Sequence, residues 1–187
     1  MHVKGTSFVA RQQEICRLYG EDRWQEFVQS LASKDAFFTQ QIFPTTKVPI
    51  KSFLLLHEEL VRELFDGDET WYWKLGELGA QWSFGEGPFA RTRFGGSAES
   101  FVSSGLTALW KSFFDFGRIE GSVDGGSLQL RIEGLPVSHP YFSRTTVAFL
   151  LKALEICGAQ GLRHEATDDS RPDRIELRCK IAGWNQS

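Results

Sequence analysis

The sequence predicts an α+β fold in which N-terminal helices pack on one face of a C-terminal four-stranded antiparallel sheet, in the order strand-strand-helix-strand-strand. Three observations predict it. Apolar residues recur at helical spacing through the first 116 residues, the period switches to two at Arg118, and one helix-period segment then separates two pairs of strand-period segments. The 187 residues read as one domain over 1–187, with a helical half 1–116 and a sheet-containing half 117–187, and 41% hydrophobic residues can supply a sizeable core.

In chain order, Phe8, Ile15, Leu18 and Tyr19 mark a first helix closed by Gly20. Trp24, Phe27, Val28 and Leu31 share one face of a second, and residues 35–42 form a third, short one that ends before Pro44. Two prolines make 44–49 a loop. A long helix over 50–65 carries Phe53, His57, Leu60 and Leu64, and another over 69–84 carries Trp71, Leu75, Leu78 and Trp82; the short connection at Asp66-Gly67-Asp68 predicts a helical hairpin. Residues 85–96 are glycine-rich and irregular, with a short extended piece over 89–94. Ser97 then caps a helix bearing Phe101, Val102, Leu106, Leu109, Trp110, Phe113 and Phe114. Strands follow on either side of the turn Asp124-Gly125-Gly126, then a helix over 141–156 ended by Gly158. Residues 162–166 and 174–181 close the chain as a hairpin around a polar loop, 167–173.

The 21 basic and 24 acidic residues give −3 with no block of either sign, which excludes a surface built for nucleic acid or anionic lipid. Three widely spaced cysteines, Cys16, Cys157 and Cys179, fit a reduced cytoplasmic protein, and no apolar run is long enough for a membrane span or a leader peptide.

Five groups of residues invite chemistry. His57-Glu58-Glu59 begins like a zinc-protease helix, but Val61 stands where the second histidine belongs, so His57 reads as a hydrogen-bonded core or pocket-wall residue. Cys157 and Cys179, with His164 and Glu165, lack a CxxC pair to fix a zinc site, and no metal is expected. His139, Ser143 and Arg144 lack the strand-turn-helix setting of a catalytic serine. Arg91 and Arg93, ahead of Gly95-Gly96, are the candidate anion-binding pair. Finally His57, Trp71, Trp82, Trp110 and Phe113 can wall a pocket for an apolar or aromatic small molecule, with His57 as its polar anchor.

Val3-Lys4-Gly5, the Pro49 helix start, Phe116-Gly117-Arg118, Glu133-Gly134-Leu135-Pro136 with His139-Pro140, and the segment 155–161 together resemble an uncharacterised myxobacterial paralogous domain family. That family is similar to the 4-vinyl-reductase-like, TRAPP-subunit and haem nitric-oxide-binding superfamily. The resemblance implies helices against an antiparallel sheet, a homodimer, and small-molecule sensing or protein assembly without enzyme activity. Two departures qualify it. Zinc-bearing members use a cysteine cluster near the C-terminal strands, where this chain has Cys157 and Cys179; haem members carry Tyr-x-Ser-x-Arg, a spacing that Tyr141-Phe142-Ser143-Arg144 misses, with no suitable histidine before it. The expectation is therefore a cytoplasmic, non-enzymatic sensory domain with no cofactor, or alternatively an assembly module with a filled core that recruits a protein partner.

Overall fold

Period-two patterning in the second half of the chain builds the sheet on which the helices rest. The computed structural model describes residues 1–91 and 100–184. β3 (Arg118–Asp124) and β4 (Ser127–Glu133) form a hairpin through Gly125 and Gly126, whose φ values of 50° and 80° give the left-handed pair that a two-residue turn requires. β6 (Arg163–Arg171) and β7 (Arg174–Lys180) form the second hairpin, and antiparallel pairing of β4 with β7 gives the order β3-β4-β7-β6. Ile119, Leu128, Leu130, Ile132, Ile175, Leu177 and Cys179 point into the core, whereas Glu120, Gln129, Arg131 and Arg178 face outward. The predicted loop 167–173 is largely strand: pairing of Thr167 with Leu177 and Asp168 with Glu176 extends β6, leaving Pro172 and Asp173 between the strands.

Three short pairings tie distant segments together. β1 (His2–Lys4) pairs with β2 (Lys47–Pro49), so the predicted loop 44–49 ends in a strand, with Pro49 at its last position where no further ladder N–H is needed. Val3 also bridges to Phe114, and β5 (Ala159–Gln160) pairs with β8 (Gly183–Trp184).

The helical half is α1 (Thr6–Tyr19), α2 (Glu21–Lys34), α3 (Ile50–Leu64), α4 (Thr70–Gly85) and α5 (Leu106–Phe113), the last preceded by a π-helical turn over Phe101–Gly105. The third short helix contracts to a 3₁₀ turn, Ala36–Thr39, started by the Asp35 carboxylate accepting from the Phe37 N–H at 2.9 Å. A second π-helical turn, Tyr141–Thr146, leads into α6 (Val147–Ile156). Residues 88–91 form turns rather than an extended piece, and the start of the Ser97 helix lies outside the described residues.

The predicted α3–α4 hairpin does not form as such. α4 packs instead along α6 and its π-helical turn, with α1 beside it, and touches α3 little. Its small residues explain why: a Cβ at Gly76 would stand 2.3 Å from the Thr145 carbonyl oxygen and 2.7 Å from the Ala148 Cβ, so the two backbones approach as closely as they do because position 76 has no side chain.

Candidate functional site

Where α1, α4, α5 and the Tyr141–Thr146 turn converge, the helical layer holds most of its buried polar groups. The apolar stripe of α1 runs through Phe8 and Ile15, yet Arg11 lies on that stripe and Glu14 adjoins it; each is 5% exposed. Their side chains form an ion pair, and Arg11 Nη1 also donates to the Leu75 carbonyl at 2.7 Å, joining α1 to α4. Among the described residues, Arg11 Nε and Glu14 Oε1 have no hydrogen-bond partner although both are buried. Burial outweighs the neighbouring guanidinium and pushes the Glu14 carboxyl up to about 7.

A cavity of about 40 Å³ opens beside this pair. Arg11, Ser7, Ser83, Tyr141, Thr145 and Thr146 supply its polar wall, and Ala10, Gly79, Phe113, Phe114 and Phe149 its apolar wall. Gly79 sets the boundary: a Cβ there would lie 2.9 Å from Arg11 Nη2 and 3.6 Å from Glu14 Oε1. The hydroxyl of Thr145 donates to the Tyr72 carbonyl at 2.7 Å and that of Thr146 to the Tyr141 carbonyl at 3.2 Å, so toward the cavity both can act as acceptors.

The five residues expected to wall one pocket do not share one. Phe113 lines the cavity. His57 lies behind it, fully buried between Phe53 and Tyr141 with ring centroids 4.6 and 4.5 Å away, and Tyr141 separates it from the space. Its Nδ1 donates to the Phe53 carbonyl at 3.0 Å, while Nε2 has no partner among the described residues. Burial, with the Arg11 charge adding, holds the ring well below the usual histidine range, so it is neutral at pH 7. Trp110 packs on Phe114 and donates from Nε1 to the Phe116 carbonyl at 2.8 Å, which makes it core. Trp71 stacks on Phe65 at 3.8 Å with Lys74 Nζ over its ring, and Trp82 is half-buried at the end of α4 near Gly87.

The remaining candidates settle elsewhere. Arg91 is exposed in a turn, and Arg93 lies outside the described residues. His139 accepts the Tyr141 N–H on Nδ1 at 2.9 Å and meets Glu58 Oε1 through Nε2 at 3.0 Å, which leaves it no lone pair with which to activate Ser143. Cys16, Cys157 and Cys179 are free thiols, each pushed up to about 12 chiefly by burial. Among the described residues no group of three or more His, Cys, Asp or Glu is placed to hold a metal ion, and no helix is long and apolar enough to cross a membrane.

Helices on one face of an antiparallel sheet, enclosing a polar-edged cavity, define an α+β domain with an internal site. Its fold is similar to that of solved H-NOX domains at low sequence identity. A doubly substituted Tt H-NOX superposes with a TM-score of 0.68 at 13% identity, over 98% of this chain and 97% of that one. An H-NOX protein from S. oneidensis in the Fe(II)NO state gives 0.68 at 13%, over 96% and 99%. An oxygen-binding H-NOX domain related to soluble guanylate cyclases gives 0.66 at 14%, over 97% and 96%. No family model matches the chain, and no curated protein matches it in sequence.

Proposed function

We propose that this protein is a non-enzymatic sensory or regulatory domain that admits a small molecule between α1, α4, α5 and the Tyr141–Thr146 turn. The observation that supports it is the cavity itself, where Arg11 and the hydroxyl-bearing residues Ser7, Ser83, Thr145 and Thr146 line one space with the rings of Phe113, Phe114 and Phe149. Solved neighbours of the fold are described with haem, Fe(II)NO and oxygen. A porphyrin does not fit these residues. Ligand pockets of drug size occupy about 300–1,000 Å³, against about 40 Å³ here, and no histidine is among the residues lining the space. A dry cavity of about 150 Å³ is what admits benzene, so the ligand in this reading is smaller than an aromatic ring, in contrast to the apolar or aromatic compound anticipated from the Trp and Phe stripes.

The absence of catalysis belongs to the same reading, supported by His139 having both nitrogens engaged. So do a cytoplasmic homodimer and membership of the myxobacterial paralogous, 4-vinyl-reductase-like group, which rest on the motif resemblance. An assembly module is the second reading, favoured by the ring-on-ring packing of Trp110, Phe114, Phe116 and Phe142. Xenon binding followed by NMR separates the two. Uptake by the wild type that is lost in Gly79→Ala supports a ligand site, whereas no uptake by the wild type hands the protein to the assembly reading.

A further inference from the structure

From the outer edge of β3 we infer that two copies of this chain pair β3 against β3 about a twofold axis at Gly121, joining two four-stranded sheets into one continuous sheet. The inference rests on the homodimer of the proposed reading and gives it an interface; it is independent of the ligand site. β3 and β6 are the outer strands of the sheet. They are built differently. β6 loses register with β7 between His164 and Ala166 and again between Asp168 and Arg171, irregularities of the kind that keep an edge from pairing. β3 holds register with β4 throughout, from Arg118 opposite Glu133 to Asp124 opposite Ser127. No strand lies on its outer side among the described residues, and the side chain that reaches its backbone, the Thr107 hydroxyl, stands 3.5 Å from the Ile119 carbonyl. A regular edge of this kind is a template for another strand.

The order of residues along β3 selects a second copy as that strand. A twofold axis perpendicular to the sheet keeps each face on its own side, so only residues of one face can meet. With the axis at Gly121, Arg118 faces the partner's Asp124 at both ends of the ladder, Ile119 faces the partner's Val123 on the core side, and Glu120 faces the partner's Ser122 on the outer side. Opposite charges and apolar pairs directly across a ladder are favourable, and like charges are not. Moving the axis by one residue spoils the match. At Glu120 that carboxylate meets its own copy, and at Ser122 it meets the partner's Asp124. Exposure agrees with the central register. Arg118, although paired with Glu120 and Glu133, remains 66% exposed, and Asp124 is exposed with no ion pair among the described residues. Val123 is only half-buried, whereas Ile119 on the same face is buried, so the partner's Ile119 would cover apolar surface that the single chain leaves open. One strand pairing is smaller than the roughly 1,200–2,000 Å² of a standard interface, which makes the dimer a concentration-dependent one.

Sedimentation velocity of the full chain over a concentration series tests the interface, with circular dichroism to show that each variant is folded. The wild type gives a monomer–dimer equilibrium. Asp124→Arg and Arg118→Asp each set like charges across both ends of the ladder and weaken the dimer by about 4-fold or more. The double exchange restores opposite charges and with them the dimer. Ser122→Lys, at an exposed position outside the turn, gives Glu120 a cation across the ladder and tightens the dimer by about 2–30-fold; it is the readout should an exchange disturb folding. A chain that stays monomeric up to about 1 mM overturns the inference together with the homodimer reading. A dimer indifferent to the single exchanges and to Ser122→Lys, or one that the double exchange fails to restore, leaves the homodimer standing and overturns the β3 pairing alone.

Discussion

Replacing Arg11 by methionine removes one side of a buried ion pair and leaves the other. With both residues 5% exposed, Glu14 then has neither the guanidinium nor water to satisfy its oxygens, and α4 loses the donor to its Leu75 carbonyl. Breaking a buried pair in this way costs about 3–5 kcal/mol. Replacing both partners by apolar residues of similar volume, Arg11→Met with Glu14→Leu, removes the stranded carboxyl and returns stability to within about 1–2 kcal/mol of wild type. The sign of the pH dependence follows from Glu14. Its folded value near 7 exceeds the ordinary 4.5, so the folded state binds more protons than the unfolded one across that window. Stability is therefore greatest at and below pH 4.5 as far as this group is concerned, declines as pH rises toward 7, and levels off above it. Arg11→Met removes a contribution that lowers the Glu14 value, so its decline continues above pH 7. Urea denaturation of the three proteins at pH 5, 6, 7 and 8 measures all of this. An Arg11→Met cost below about 1 kcal/mol at pH 7, or a flat profile in that variant, would refute the burial argument.

Two paired substitutions test the packing. Trp24, 2% exposed and in ring contact with Phe8 and Phe27, should cost about 3–5 kcal/mol on replacement by alanine, whereas Trp82→Ala at its half-buried position should cost less than half as much by the same urea assay. Gly76→Ala drives a methyl against the Thr145 carbonyl and should destabilise by about 1–3 kcal/mol or more, while Gly85→Ala, which meets open space on the same helix, should stabilise by up to about 1 kcal/mol. Equal midpoints for the two alanine variants would contradict the close approach of α4 to α6.

The strand-strand-helix-strand-strand order was readable because each of its signals is local. Ile119, Leu128, Leu130 and Ile132 alternate with polar residues, and Gly125-Gly126 can adopt a turn that few other pairs can. The outer half of β6, beyond the expected strand 162–166, escaped because it belongs to an edge strand and lies largely in water: Asp168 to Arg171 are exposed, so burial imposes no period on the sequence. β1, β2, β5 and β8 escaped for a different reason. Two or three residues carry no period at all, and pairs such as Val3 with Val48 exist because distant segments meet.

The five expected wall residues do not share one cavity because large aromatic side chains mostly pack on one another, whereas the cavity beside Arg11 is bounded by a side chain that is missing at Gly79 and by charge where an apolar residue belongs. That second signal was present in the sequence, since Arg11 stands three residues from Phe8 and four from Ile15 on the stripe α1 buries. A charge at such a position has to find a partner or lose stability, and Glu14 one turn away shows how part of the demand is met. What sequence periodicity could not supply is the remainder, because the surroundings of Arg11 are completed by Leu75, Gly79 and Tyr141 arriving from α4 and the turn before α6. The fold cannot supply it either. At 13–14% identity what is shared with H-NOX domains is the fold alone. A ligand must therefore be argued from the wall of its site and not from the architecture that encloses it. Here that wall combines one buried guanidinium, several hydroxyl-bearing residues and aromatic rings around about 40 Å³, a lining that no aromatic stripe in the sequence describes.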